Sequence, residues 1–119
     1  MKNKIFNLLI VLLSINSYSQ TVKSIYSDGI LYDNNVYYKD VNNDMNKFVG
    51  TWKYENGTIK LTIILQKRLQ VHIGYPYNCY VDEIIGGYKY ENNGITIINT
   101  IPDIDLTKLH YQNSISGSL

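Results

Sequence analysis

From Trp52 to Ile73 the chain alternates apolar and polar positions. Trp52 and Tyr54 are followed by Ile59, Leu61, Ile63, Leu65, Leu69, Val71 and Ile73. Lys53, Glu55, Lys60, Thr62, Gln66, Arg68, Gln70 and His72 fall between them. A period of two predicts half-buried strands, because successive side chains point to opposite faces. Asn56-Gly57 interrupts the alternation, and such a pair favours a two-residue hairpin loop. That loop pairs Glu55 with Thr58, Tyr54 with Ile59, Lys53 with Lys60 and Trp52 with Leu61. Trp52, Tyr54, Ile59, Leu61, Ile63 and Leu65 then share one face, and His72 lies on the solvent side.

"GYPYN" (residues 74–78) breaks the pattern, since Pro76 cannot donate to a ladder. "CYVDEIIGGYKYE" (79–91) predicts a long strand, with a bend or bulge at Gly86-Gly87 as at a barrel corner. "NNG" (92–94) predicts a second turn, "ITIINTI" a further strand, and Pro102 its end. "GTWKYEN" at Gly50 is echoed by "GGYKYEN" at Gly86, which predicts two similar hairpins in an antiparallel meander.

The first residues read differently. Lys2 and Lys4 precede an apolar run from Ile5 to Ile15, and Ser17 and Ser19 suit a signal peptidase site. The run is shorter than the roughly 20 residues a spanning helix needs. The expected organisation is therefore a secretory signal peptide at 1–19, an N-terminal arm at 20–46, a β-meander domain at 47–101 and a C-terminal tail at 102–119. Within the arm, "SDG" and "DNN" are turn signals and "VYYKD" is a short strand candidate. "NNDMNKF" suits one helical turn capped by Asn42 or Asn43. Cleavage implies export to the periplasm, cell envelope or exterior, with no transmembrane segment left in the mature chain.

Charge narrows the partners. Without Lys2 and Lys4, nine basic residues face ten acidic ones, and only Lys67-Arg68 are adjacent. That gives no footprint for phosphates, so nucleic acid is excluded as a partner. Cys79 is the single cysteine and cannot form an internal disulfide, so burial is its expected state. The twelve tyrosines suit pleated, half-buried surfaces.

"YYKDVNNDMNKFVGTWKYENGT" (37–58) and "GGYKYENNG" (86–94) resemble a family of small exported flavobacterial proteins of unknown function. That resemblance implies no catalytic residue. Gly50-x-Trp52 after a short helical turn resembles, more distantly, the first strand of lipocalin-like proteins. This second resemblance implies an up-and-down barrel whose Trp packs across the closed end. Such barrels have about eight strands, and five or six are legible after Gly50. The expected fold is an all-β antiparallel meander, up to a partial or incomplete lipocalin-like up-and-down barrel.

No constellation of chemistry emerges. Cys79 with His72 or His110 lacks an orienting third group. Asp40, Asn42 and Asp44 mimic the start of a calcium loop, but Met45 and Thr51 stand where that loop needs Gly and Glu. Capping and turn-making explain them better. "DIDLTK" (103–108) reads as a solvated loop, and the hairpin accounts for the Asn56-Gly57-Thr58 sequon. No catalytic residue, metal site or cofactor is expected. The ligand-lining or core candidates are Trp52, Tyr54, Ile59, Leu61, Ile63, Leu65, Leu69, Val71, Tyr88, Tyr90 and Ile97. The functional expectation is a non-enzymatic lipocalin-like module for a small apolar ligand. The alternatives are an envelope or secreted structural or interaction protein with a packed core, and a truncated copy of a longer relative. Open sheet edges would permit self-association.

Overall fold

The alternating segments form the long strands of one mixed sheet. The computed structural model describes residues 19–27, 32–107 and 112–117. Residues 1–18 of the expected signal peptide, the Asp28-Gly29 turn signal and His110 lie outside these described residues. The strands are β1 (Thr21–Ser24), β2 (Val36–Lys39), β3 (Gly50–Asn56), β4 (Ile59–Ile73), β5 (Cys79–Asn92), β6 (Ile95–Asn99) and β7 (Ile115–Gly117). Their order is β1-β2-β5-β4-β3, and β6 and β7 also pair with β5. Residues read as an arm therefore supply the first two strands, and residues read as a tail supply the last.

The all-β class holds. Pairing is parallel between β1 and β2 and between β2 and β5, and antiparallel elsewhere, so the sheet is mixed rather than purely antiparallel. It does not close into a barrel, because β1 and β3 sit at opposite ends of the order.

The first hairpin keeps its predicted faces but not its register. Asn56 pairs with Ile59, Tyr54 with Leu61 and Trp52 with Ile63, so the loop is Gly57-Thr58. Gly57 carries a positive φ of 57° at the first loop position, the glycine-first arrangement of a type II′ turn. The slip is two residues, and only an odd slip would exchange faces. It also sets Lys53 opposite Thr62 and Glu55 opposite Lys60, which removes the like-charge pair. The second hairpin turns on Asn93-Gly94 with φ of 51° and 75°, the type I′ pattern. A backbone bond links the two turns, with the Asn93 N–H donating to the Thr58 carbonyl at 3.1 Å.

The larger departure lies between Arg68 and Val71. Arg68 pairs with Glu83 and Val71 with Val81, so β4 carries one residue more than β5 there. This bulge reverses the alternation. Ile59, Leu61, Ile63 and Leu65 lie on one face, while Val71 and Ile73 lie on the other. There they pack against Val36, Tyr38, Cys79 and Val81, the main core cluster, with Tyr32 alongside. The sequence expectation that Leu69 and Val71 extend the Trp52 face is thus corrected. Leu69 belongs to the bulge and is 64% exposed.

Gly86-Gly87 is not a bulge. β5 runs through it in unbroken register with Leu65 and Ile64. The glycines admit close neighbours instead. A Cβ on Gly87 would meet the Thr100 carbonyl oxygen at 2.7 Å, where a 3₁₀ turn at Ile101–Asp103 approaches the sheet.

Candidate functional site

The ladder builds a two-sided sheet from β3, β4, β5 and β6. One face carries Trp52 and Tyr54 from β3, Ile59, Leu61 and Ile63 from β4, Tyr88 and Tyr90 from β5, and Ile98 opposite Tyr90 on β6. The other carries Lys53, Glu55, Lys60, Thr62, Lys89 and Glu91. On that charged side Lys60 meets Glu55 at 3.7 Å and Lys89 meets Glu91 at 2.8 Å. The aromatic side stands open among the described residues. Trp52 is 51% exposed, Tyr54 56% and Ile98 43%, whereas Leu61, Ile63, Tyr88 and Tyr90 are half-buried by their neighbours in the sheet. An antiparallel sheet ordinarily buries its apolar face, so this uncovered face is the candidate site.

Eight of the eleven residues singled out in the sequence lie on this stripe: Trp52, Tyr54, Ile59, Leu61, Ile63, Leu65, Tyr88 and Tyr90. Leu69 and Val71 leave it at the bulge. Ile97 is the extra residue of a second irregularity, between Tyr90 and Glu91, and Ile98 takes the place opposite Tyr90. By simple alternation Ile98 falls with Thr96, on the phase opposite to Ile95 and Ile97, and the bulge that brings it onto the face could not be counted from one strand.

The lower end of the face is fixed by buried charge. The Asp82 carboxylate accepts the Tyr37 hydroxyl at 2.6 Å and the backbone N–H groups of Asp40 and Gln70, both at 3.0 Å. Burial pushes the Tyr37 hydroxyl pKa up, and its bond to Asp82 adds to this. The Asp40 carboxylate accepts N–H groups of Asp44 and Met45 at 2.8 and 3.0 Å, and the Lys67 ammonium at 2.7 Å. Burial alone would raise the Asp40 pKa; Lys67 and the two N–H groups outweigh it and hold the carboxyl below its ordinary value. Asp40 therefore caps the 3₁₀ turn at Asp44–Lys47. Asn43 precedes that turn and makes no side-chain cap, which corrects the expected cap. The turn leads into Trp52, whose indole N–H donates to the Phe48 carbonyl at 2.8 Å. On the opposite face, Arg68 donates to Glu83 at 2.8 Å through Nε and again through Nη2. Its Nη1 reaches the Leu106 carbonyl at 2.7 Å.

These carboxylates are engaged in holding backbone and partners in place. Among the described residues no buried side-chain polar atom lacks a partner, and no group of three or more His, Cys, Asp or Glu gathers as metal ligands. Cys79 is buried, and burial pushes its thiol pKa up. His72 is exposed, and its Nε2 bonds the Asn78 side-chain oxygen at 2.8 Å. A separate open pocket of about 540 Å³ is lined by Ser19, Gln20, Thr21, Asn34, Asn35, Gln70 and Tyr80. Its amides and hydroxyls do not suit an apolar ligand.

Residues 1–118 match the family of unknown function DUF6705. The chain belongs to that family. This agrees with the resemblance to an uncharacterised family drawn from the sequence. No curated protein and no solved structure matches this DUF6705 chain.

Proposed function

We propose that this DUF6705 protein is an exported, non-enzymatic interaction module. It uses the uncovered aromatic face of β3–β6 as its contact surface. The observation that carries this reading is the segregation of the sheet. Rings and aliphatic side chains occupy one side, ions the other, and Trp52 and Tyr54 stay more than half exposed. A face of that kind gains free energy wherever it is removed from water. Export rests on the leader at the N-terminus.

An open face favours a broad apolar partner over a single small ligand. A small-molecule site encloses roughly 70–90% of its ligand, and this sheet does not close. The buried carboxylates support a structural role, since each is bonded to backbone N–H groups or to a cation.

Trp52 is the sole tryptophan and sits on the face, which makes the test direct. At submicromolar protein, an anilinonaphthalene sulfonate dye should bind the folded chain and quench Trp52 by energy transfer. The Tyr54→Lys and Ile98→Lys substitutions should each abolish that signal, whereas Lys53→Glu on the charged side should not. A folded chain that binds no dye, or binds it equally in all variants, overturns the reading.

A further inference from the structure

We propose that the occupant of the aromatic face is a second copy of this chain, stacked face to face about a two-fold axis as a two-sheet sandwich. This rests on the reading of the face as a contact surface, and it names the partner.

Charge points to self-association first. The stripe from Trp52 to Ile98 bears no ion, and Lys53, Lys60 and Lys89 all project from the opposite side. Lys67, the next residue on the aromatic side of β4 after Leu65, is only 11% exposed and is paired with Asp40. An anionic membrane surface is held by cations flanking the apolar residues. Here the more exposed lysines of β3, β4 and β5 face away from where a bilayer would lie, and Lys67 is already neutralised by Asp40. A charged peptide would likewise leave its ions unpaired against the rings. The face does complement itself: uncharged, pleated, and lined by aromatic rings that stack offset or edge to face.

Geometry agrees. Paired sheets pack about 10 Å apart with their strands within about 30° of one another, and their side chains interdigitate. In an isologous pair each residue can meet its counterpart's neighbour, so no second kind of surface is required. Closure also limits growth, because the pair uses up the face that drives it. Pairing of the β3 edge with the unlike β1 edge of another copy would instead be head-to-tail and open-ended.

Area decides the strength. Aromatic side chains bury about 150–250 Å² each when fully covered. From the exposures of Trp52, Tyr54 and the neighbouring isoleucines, roughly 600 Å² per copy remains to be covered. The pair would therefore bury about 1,200 Å², at the lower bound of stable interfaces. The dimer should dissociate on dilution through the micromolar range.

Sedimentation equilibrium of the purified protein from about 1 to 500 μM, with Trp52 emission on the same samples, tests this. The expected result is a reversible monomer–dimer equilibrium with a blue shift of Trp52 as dimer forms. Tyr54→Lys and Ile98→Lys, both at positions already exposed in one copy, should each weaken the dimer at least about 100-fold, because a buried unpaired ammonium is strongly unfavourable. Lys53→Glu should leave it within a few-fold. A dimer that persists in both face variants associates elsewhere, by strand edges or the apolar N-terminus, and overturns the proposal. A chain that stays monomeric yet binds the dye also overturns it, while leaving the contact-surface reading intact. A monomer that binds no dye sinks both.

Discussion

Oδ1 of Asp82 accepts the Gln70 amide N–H at 3.0 Å, across the bulge in the β4–β5 ladder. Gln70 is held at φ 53°, a left-handed conformation that side-chain-bearing residues seldom adopt. The bulge turns the apolar residues of β4 from the open face to the packed core. One carboxylate thus supports the division of the sheet into a contact surface and a folded base. Replacing it tests the point. Asp82→Ala strands three donors: the Gln70 and Asp40 N–H groups and the Tyr37 hydroxyl. Each buried, unpaired donor costs about 1–3 kcal/mol. The Asp40 N–H is buried and the other two donors are part-buried, so Asp82→Ala should lower unfolding free energy in urea by about 2–3 kcal/mol. A loss under about 1 kcal/mol would show that the bulge stands without Asp82.

Gln70 itself gives the complementary prediction. Its backbone conformation suits glycine, and for other residues it costs roughly 1–2 kcal/mol. Gln70→Gly removes that strain but adds conformational freedom to the unfolded chain, worth about 0.5–1 kcal/mol. The net effect should be a small gain, read as a melting midpoint that is unchanged or slightly raised. Gln70→Val places a β-branched side chain in the same conformation and should cost about 2 kcal/mol. If glycine destabilises as much as valine, the strain is not at this residue.

Much of the sheet could be read along one strand, and the departures could not. Trp52, Tyr54 and the run from Ile59 to Leu65 were legible because alternation and turn agree, and a two-residue slip leaves both intact. Leu69, Val71 and Ile73 keep the same parity in sequence, so nothing on β4 announces the bulge. It appears only when residues between Arg68 and Val71 are counted against those between Glu83 and Val81. A weaker signal lay on β5, where Asp82 and Glu83 adjoin inside an apolar strand. Side chains alternate, so both faces receive a carboxylate, and each needs a partner if buried. Arg68 and the bulge amide supply those partners from β4, and pairing across strands is long-range information. The parallel β1–β2–β5 pairing was hidden for the same reason.

Acid should loosen the turn that leads into Trp52. The Asp40 carboxyl lies below its ordinary value near 3.8 because Lys67 and two N–H groups favour its charged form over the burial that opposes it. A carboxylate with a lowered folded pKa stabilises fully above its unfolded value. Its contribution fades as pH falls below about 4 and through the lowered folded value. Urea midpoints of the native chain and Asp40→Asn should therefore differ at pH 7 and converge as pH falls below the ordinary carboxylate value and through the lowered folded one. Parallel curves across that range would remove Asp40 as the source of acid sensitivity.

Two glycines separate steric from conformational demand. At Gly87 an added Cβ meets the Thr100 carbonyl oxygen at 2.7 Å, its carbon at 2.9 Å and the Ile101 Cα at 3.0 Å. All three are backbone atoms, held by the Thr100 N–H bond to the Tyr88 carbonyl at 2.9 Å and the Thr100 hydroxyl against Tyr88. Relief requires the Ile101–Asp103 turn to lift from the sheet, so Gly87→Ala should cost about 2–3 kcal/mol by overpacking. Gly94 has open space around it but a φ of 75° in the second hairpin loop. Gly94→Ala should cost only about 1–2 kcal/mol, the strain of a left-handed residue. Hydrogen exchange distinguishes the mechanisms as well as the magnitudes. Gly87→Ala should expose the Thr100 amide while leaving β3–β4 protected, and Gly94→Ala should speed exchange only near the β5–β6 loop. Equal protection of the Thr100 amide in both variants would mean that the turn does not rest on Gly87.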